Sequence, residues 1–208
     1  MTAKKTSPTL AQDRKSGRGR PRAFDADAAV DTAMTLFHRR GYDAVGVAEL
    51  AEAIGVNPPS LYAAFGSKKG LFERALERYQ ESGGGFVART LAEEGNLAEL
   101  IGRVFLRAAE TYSAADSLPG CLVLDSTRNC SDPEIRAVTD ALRAEGREHI
   151  RRRIAREFPR AAEVLTDYVL VTLSGLSAAA RDGMDPAALR RSAQIAADGF
   201  AAQLGGKG

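Results

Sequence analysis

Histidine and cysteine, two side chains that commonly act in catalysis and metal binding, are scarce in this sequence. Its 208 residues include two histidines, His38 and His149, and two cysteines, Cys121 and Cys130. We find no Ser-His-Asp arrangement, no glycine-rich phosphate loop and no Cys/His spacing typical of a metal site. We therefore expect that the protein is not an enzyme and uses no metal and no cofactor. Two cysteines suit a reducing compartment, and no apolar run approaches the roughly 20 residues that span a bilayer, which predicts a cytoplasmic protein without a membrane partner.

The most strongly charged segment is the amino-terminal arm, residues 1–22. It has a net charge of +6, whereas the whole chain has a net charge of +2. Within it, Gly17-Arg18-Gly19-Arg20-Pro21-Arg22 contains Arg-Gly-Arg-Pro, which resembles the core of an AT-hook. Glycine permits an extended backbone, and the guanidinium groups suit the negative floor of an A·T-rich minor groove. Arg18, Arg20 and Arg22 are therefore candidate DNA contacts, unless the arm is only a solvated tail.

The rest of the chain has the periodicity of α-helices. From Phe24 onward apolar residues recur at three- and four-residue spacing, with little of the alternation that β-strands require. Asp25 and Asn96 are suitable amino-terminal caps, and Gly83-Gly84-Gly85 is expected to kink or end a helix. The predicted helices cover residues 26–40, 47–54, 58–65, 96–112, 121–127, 133–157, 161–182 and 186–204, with one more from residue 68 to the glycines. The predicted fold class is all-α.

Two short helices joined by a glycine-containing turn follow the first helix, which is the plan of a helix-turn-helix DNA reader. In the helix after Asn57, a rotation of about 100° per residue points Leu61 and Phe65 toward the core. The opposite side carries Pro59, Ser60 and Ala63, with Tyr62 on one flank. This outward face is small and smooth, so it can approach the floor of a major groove closely.

Residues 24–72 resemble the DNA-binding domain of the tetracycline-repressor (TetR) family of bacterial regulators. The resemblance lies in Gly41-Tyr42-Asp43-Ala44, Val47, Leu50-Ala51, Ala53, Gly55-Val56, Leu61-Tyr62, Phe65, Ser67-Lys68 and Leu71-Phe72. It implies that Tyr62 and Lys68 contact DNA phosphates. It also implies that Pro59, Ser60 and Ala63 face the bases.

Several positions depart from the family pattern. Gly46, still a candidate DNA-binding residue by its position, stands where the family usually has a Ser or Thr that caps the second helix and contacts phosphate. Pro58 and Pro59 replace polar or small residues, Ala63-Ala64 replaces bulkier ones, and Lys69 replaces an acid. Because the groove face has no Arg, Asn or Gln for bidentate base recognition, we expect specificity to depend on thymine methyl contacts with Pro59 and Ala63, on the Ser60 hydroxyl and on DNA shape.

Beyond the reader, the resemblance implies a helical body that dimerises and binds an effector. Helix 161–182 is apolar nearly all round and needs partners on every side. With helix 186–204 it resembles the pair that forms a four-helix homodimer interface in the family. In the family the region before this pair lines an effector cavity, which gives five candidate ligand contacts: Phe105, Cys121, Leu124, Asp125 and Tyr168. Each of the five is as readily explained as an ordinary core residue.

Together these features predict a ligand-responsive, sequence-specific regulator of transcription, in particular a repressor that a small molecule releases from a palindromic operator in double-stranded DNA. The predicted organisation is a disordered basic arm (1–22), a helix-turn-helix domain (23–70) and a helical ligand-binding and dimerisation domain (71–208). Two alternatives stay open. One is a constitutive or architectural DNA-binding protein without a ligand, and the other is a thiol-based redox sensor that uses Cys121 or Cys130.

Deleting residues 1–22 should lower operator affinity without changing the preferred core sequence, because the arm binds only at the flanks. The logarithm of the association constant, log K, falls as the logarithm of the salt concentration rises. The slope of this line should become shallower by roughly 0.9 for each phosphate that the arm neutralises in the full chain. Fluorescence anisotropy on an operator fragment at several salt concentrations measures both quantities. A truncated protein with the slope of the full chain would exclude the arm from DNA binding.

Overall fold

The computed structural model describes residues 25–205, and within them the chain forms ten α-helices and one π-helical turn without a β-strand. The helices are α1 (Ala26–Arg40), α2 (Val47–Ile54), α3 (Pro58–Phe65), α4 (Lys68–Tyr79), α5 (Phe86–Leu91), α6 (Leu97–Tyr112), α7 (Leu122–Asp125), α8 (Pro133–Ala155), α9 (Ala162–Arg181) and α10 (Pro186–Gly205). The π-helical turn, Gln80–Gly84, directly follows α4. The predicted all-α fold class is confirmed, while Arg18, Arg20 and Arg22 of the basic arm lie outside the described residues.

Helices α1 to α4 pack around an aromatic core and form the reader. The ring centroid of Phe72 lies 5.0 Å from that of Phe37 and 5.0 Å from that of Tyr42. Leu50 of α2 and Leu61 of α3 have no solvent exposure. Burying a side chain of this size contributes about 2 kcal/mol, so this shared core holds the short helices at fixed angles. The predicted domain boundary after residue 70 falls inside α4.

Local sequence determines where several helices begin. At the start of α1, Asp25 accepts hydrogen bonds from two backbone N–H groups of the first turn, at 3.1 Å each. At the start of α6, Asn96 and Glu99 form a capping box in which each side chain accepts from the other residue's N–H. The two caps predicted from the sequence are therefore confirmed.

The helical geometry changes after α4, where the sequence has three consecutive glycines. Gly83 has a φ of 139°, which residues with a side chain rarely adopt. A Cβ at Gly84 would overlap the ring of Tyr79, and a Cβ at Gly85 would lie 2.8 Å from the carbonyl oxygen of Gln80. The predicted interruption is confirmed, and it takes the form of a π-helical turn between α4 and α5.

Helices α5 to α10 form the carboxy-terminal body, and α6 is at its centre. It packs along α10 on one side and against α9 and α5 on the others, while α8 packs on α9 and α5. The core of the body includes the fully buried side chains of Ile101, Val104 and Phe105 on α6. No helix within residues 25–205 combines the length and apolar character that crossing a membrane requires.

One feature of the body differs from the sequence prediction. Helix α5 was not predicted, because six residues between a glycine and a polar segment are too few for a clear periodic pattern. Helix α9 packs against α6, α7, α8 and α10 within the chain. Its apolar side chains Val164 and Val171 are nevertheless 64% and 72% exposed, so the partners that the sequence predicts for this side of α9 are not supplied by the chain itself.

Candidate nucleic-acid interface and ligand cavity

The turn between α2 and α3 depends on residues with special backbone properties. Gly55 adopts the left-handed conformation, with a φ of 79°, and ends α2. The side-chain oxygen of Asn57 accepts a hydrogen bond from the N–H of Ser60 at 2.9 Å. Pro58 and Pro59 occupy the first turn of α3, where an N–H group would lack an intrahelical acceptor. This turn holds α2 and α3 in the helix-turn-helix arrangement.

The outer face of α3 is exposed and built from small side chains. Leu61 has no solvent exposure, whereas Tyr62, one residue further along the helix, is 47% exposed. The candidate base contacts Pro59, Ser60 and Ala63 are all exposed. The structure thus gives α3 the inward and outward faces that its sequence predicts.

Gly46 precedes α2 and provides no side-chain cap for that helix. A Cβ at this position would meet nothing within 4 Å. The reader therefore has room at position 46 for the Ser or Thr side chain that is usual in the family.

Lys68, the first residue of α4, lies beside the aromatic core of the reader. Its Nζ is 4.0 Å from the centroid of the Tyr42 ring. Partial burial lowers the pKa of Lys68, and the charge of the nearby Asp43 carboxylate opposes this effect. The next residue, Lys69, instead pairs with Glu134 of α8 at 3.6 Å. Two adjacent lysines therefore face different surroundings.

A set of hydrogen bonds, which we call the Asp43 junction, joins the reader to the body. The N–H of Tyr42 donates to the carbonyl oxygen of Ser126 at 2.8 Å. The Asp43 carboxylate accepts hydrogen bonds from the N–H and Oγ of Ser131, at 3.0 and 3.3 Å, and from the thiol of Cys130, at 2.9 Å. The bond from Cys130, followed by that from the Ser131 backbone, lowers the pKa of Asp43.

Two further features bring the same surfaces close together. Gly41 has a φ of 78°, and a Cβ there would lie 3.1 Å from the carbonyl oxygen of Ser126. At the end of α9, Nη1 of Arg181 donates to the carbonyl oxygen of His38 at 3.1 Å. Burial, and then the charge of Arg181, lower the pKa of His38 to about 4, so this imidazole is neutral near pH 7.

A cavity of about 1130 Å³ lies in the body between α4, α5, α8 and α9. Its apolar lining includes Leu76, Leu142, Ile150, Leu170 and Leu173. Cys121 and Leu124, two of the five predicted ligand contacts, also line it. The sequence did not single out the apolar residues of α8 and α9 as ligand contacts, because periodicity alone does not distinguish a cavity wall from a packed core.

The other three predicted ligand contacts lie away from this cavity. Phe105 has no solvent exposure, and its ring packs 6.2 Å from that of Tyr168, centroid to centroid. The Tyr168 hydroxyl donates to the carbonyl oxygen of Ala196 on α10 at 3.1 Å. Asp125 accepts a hydrogen bond from Ser177 Oγ at 2.7 Å and lines a smaller crevice of about 340 Å³ beside the Asp43 junction. Phe105 and Tyr168 therefore lie on the side of the body near α10, and Asp125 lies beside the Asp43 junction. This is possible because α6, α7 and α9 each pack against more than one other helix.

The two thiols lack the surroundings of reactive cysteines. Cys121 and Cys130 are 6% and 5% exposed. Burial raises the pKa of both thiols, which disfavours the thiolate that reacts with oxidants and electrophiles. Within residues 25–205, no three or more His, Cys, Asp or Glu side chains are grouped so that they could hold a metal ion.

Apolar side chains are exposed on the neighbouring helices α9 and α10. Val164 and Val171 project from α9, and Ile195, which is 72% exposed, projects from α10. Small residues such as Gly175 and Gly199 are exposed on the same two helices. A large exposed apolar patch commonly marks a protein–protein interface.

Comparison with known proteins agrees with this geometry. The family model described as "Bacterial regulatory proteins, tetR family" matches residues 29–75. The HTH-type transcriptional repressor BdcR of Escherichia coli K12 is 41% identical over 165 residues, which cover 79% of this chain and 83% of BdcR. The HTH-type transcriptional repressor ComR of the same strain is 33% identical over 193 residues, which cover 88% of this chain and 90% of ComR.

Solved structures extend the similarity to both halves of the molecule. A cysteine mutant of the TetR family transcriptional regulator CifR, complexed with 26-bp double-strand operator DNA, has a TM-score of 0.74 at 35% identity over 86% of this chain and 98% of CifR. The TetR-family regulator SCO4454 of Streptomyces coelicolor has the same fold, with a TM-score of 0.74 at 16% identity over 85% of this chain and 94% of its own. With this reader and with relatives that match most of its length, the chain belongs to the TetR family of bacterial DNA-binding transcriptional regulators.

Proposed function

We propose that this chain is a dimeric repressor that leaves a palindromic operator when a small molecule binds in the cavity of the body. The position of α4 carries the proposal. Lys68 begins this helix at the reader, and Glu73 and Leu76 of the same helix line the cavity. A molecule that displaces α4 therefore moves the reader, provided that it binds the form free of DNA more tightly than the DNA-bound form.

On DNA, α3 is the recognition helix and enters the major groove. The small, exposed outer face described above supports this placement, because bulky side chains would keep the helix away from the base edges. The proposed contacts are Pro59, Ser60 and Ala63 to bases, Gly46, Tyr62 and Lys68 to phosphates, and Arg18, Arg20 and Arg22 to the flanking minor groove.

The proposed dimer forms through α9 and α10. The exposed Val164, Val171 and Ile195 support it, because pairing two copies of this face by a two-fold axis would bury all of them. A two-fold dimer also presents two recognition helices, which must lie about 34–36 Å apart, or a multiple of this, to enter successive major grooves.

The cavity is also what favours a ligand-responsive regulator over a constitutive or architectural one. Its volume of about 1130 Å³ is slightly larger than the roughly 300–1,000 Å³ typical of small-molecule sites, so a small molecule has room to bind there. A redox sensor has less support, because both thiols are buried and have raised pKa values.

Replacing Lys68 with Ala should weaken binding to all operator sequences alike, because an interaction with phosphate carries no sequence information. The slope of log K against log salt should fall by roughly 0.9 in magnitude, the value expected when one fewer phosphate is neutralised. Lys69→Ala is the matched control, since Lys69 pairs with Glu134 and should leave the slope unchanged. Equal slopes for the two variants would exclude Lys68 as a phosphate-binding residue.

Replacing Leu124 with Trp should fill part of the cavity, leaving the dimer folded but altering its operator affinity or its response to ligand. Leu124→Ala, which enlarges the cavity at the same position, is the matched control. Circular dichroism and gel filtration establish folding and dimerisation, and anisotropy measures DNA binding. If Leu124→Trp is folded and dimeric with unaltered operator affinity and ligand response, the cavity is not coupled to the reader.

A further inference from the structure

In the described part of the chain, carboxylates from three different elements border the cavity without a cationic partner. Glu73 lies on α4, Glu81 in the π-helical turn and Glu145 on α8, and all three line the cavity. Among residues 25–205, no Lys, Arg or His nitrogen lies within 4 Å of any of these carboxylates. Glu77 adds a fourth carboxylate, which is 3.9 Å from Arg74.

The arginines that border the same cavity are already committed to other groups. Arg143 pairs with Asp140 at 2.6 Å and also donates to the carbonyl oxygen of Val123 at 3.1 Å. The guanidinium of Arg147 bridges two acids of α9, one of which is Asp167 at 2.6 Å. Arg89 donates to the carbonyl oxygens of Gln80 and Gly83, at 3.3 and 3.1 Å. The border of the cavity therefore offers free negative charge but few free positively charged donors.

The wall between these charges is apolar. Leu142 of α8 and Leu170 and Leu173 of α9 contribute to it, together with Leu76 of α4. An inorganic cation would gain nothing from this wall, and an anion would meet unpaired carboxylates. A molecule with a large apolar surface and a delocalised positive charge satisfies both features, because it needs little hydration of its charge.

We propose that the cavity binds amphipathic organic cations, and this inference rests on the proposed ligand response of the same cavity. The apolar part of the molecule packs against the leucines of α8 and α9. The positive charge lies toward Glu73, Glu81 and Glu145, which within residues 25–205 have no cationic nitrogen at salt-bridge distance.

Three probes of similar shape and different charge test the inference on the full chain. Tetraphenylphosphonium is the cation, tetraphenylborate the matched anion and triphenylphosphine oxide a neutral relative. Calorimetry measures binding of each probe, and anisotropy measures release of an operator fragment. We expect tetraphenylphosphonium to bind at least about tenfold more tightly than either of the others, because each unpaired carboxylate attracts a cation and repels an anion.

Variants separate the charge of the cavity from its shape. The triple variant Glu73→Gln, Glu81→Gln and Glu145→Gln should weaken tetraphenylphosphonium binding about tenfold while preserving the neutral probe's affinity. Glu94→Gln removes an exposed acid outside the cavity and should change affinity less than twofold. Should the triple variant not fold, the single variants are tested instead, and each should show a part of the loss.

The inference and the proposed function fail in different ways. If the anion or the neutral probe binds as tightly as the cation and releases the operator, the regulator is ligand-responsive but the assignment of cations is overturned. If the cation binds through the three glutamates but the operator stays bound, the assignment holds and the proposed ligand response fails. If no probe binds, or if the triple variant binds the cation as the unmodified chain does, the inference is overturned.

Discussion

The direction in which the reader faces depends on hydrogen bonds that cross from one half of the chain to the other. Asp43 accepts bonds from Cys130 and Ser131, and the backbone of Tyr42 donates to that of Ser126. Hydrogen bonds to a charged group contribute about 1.5–3 kcal/mol each when buried, and less at an exposed residue such as Asp43. Allosteric coupling energies are typically about 1–3 kcal/mol. The Asp43 junction is thus strong enough to hold the reader in one position and weak enough for a bound molecule to shift it.

Helix α4 connects this junction to the cavity. Its buried residues Leu71 and Phe72 belong to the reader, whereas Leu76 belongs to the cavity wall. The π-helical turn that follows α4 relies on glycines, because a side chain would be strained at Gly83 and would clash at Gly84 and Gly85, and the turn brings Glu81 to the border of the cavity. A ligand that contacts Glu73 and Glu81 would act both on α4 and on the π-helical turn that follows it.

The sequence predicted local structure well because local structure depends on neighbours in the chain. The Asn57 cap, the inward position of Leu61 and the interruption at Gly83 follow from one turn of helix and its backbone chemistry. Partners distant in the chain were not predictable in this way. Asp43 and Cys130 are 87 positions apart. Phe105 and Tyr168 lie on apolar faces as expected, but periodicity did not reveal that these faces contact α10 rather than the cavity.

The distance between the two readers of the proposed dimer tests the role of the Asp43 junction most directly. A nitroxide label is attached to Glu52→Cys, at the exposed surface of α2, and the distance between the two labels is measured by double electron–electron resonance. The native cysteines are replaced by Cys121→Ala and Cys130→Ser, because Ser keeps a hydrogen-bond donor for Asp43. The junction predicts one narrow inter-reader distance in this protein, a broad distribution after Asp43→Ala, and no broadening after the control change Glu94→Ala. An equally narrow distribution after Asp43→Ala would contradict the claim that the junction positions the reader, and the absence of any inter-reader distance would contradict the dimer.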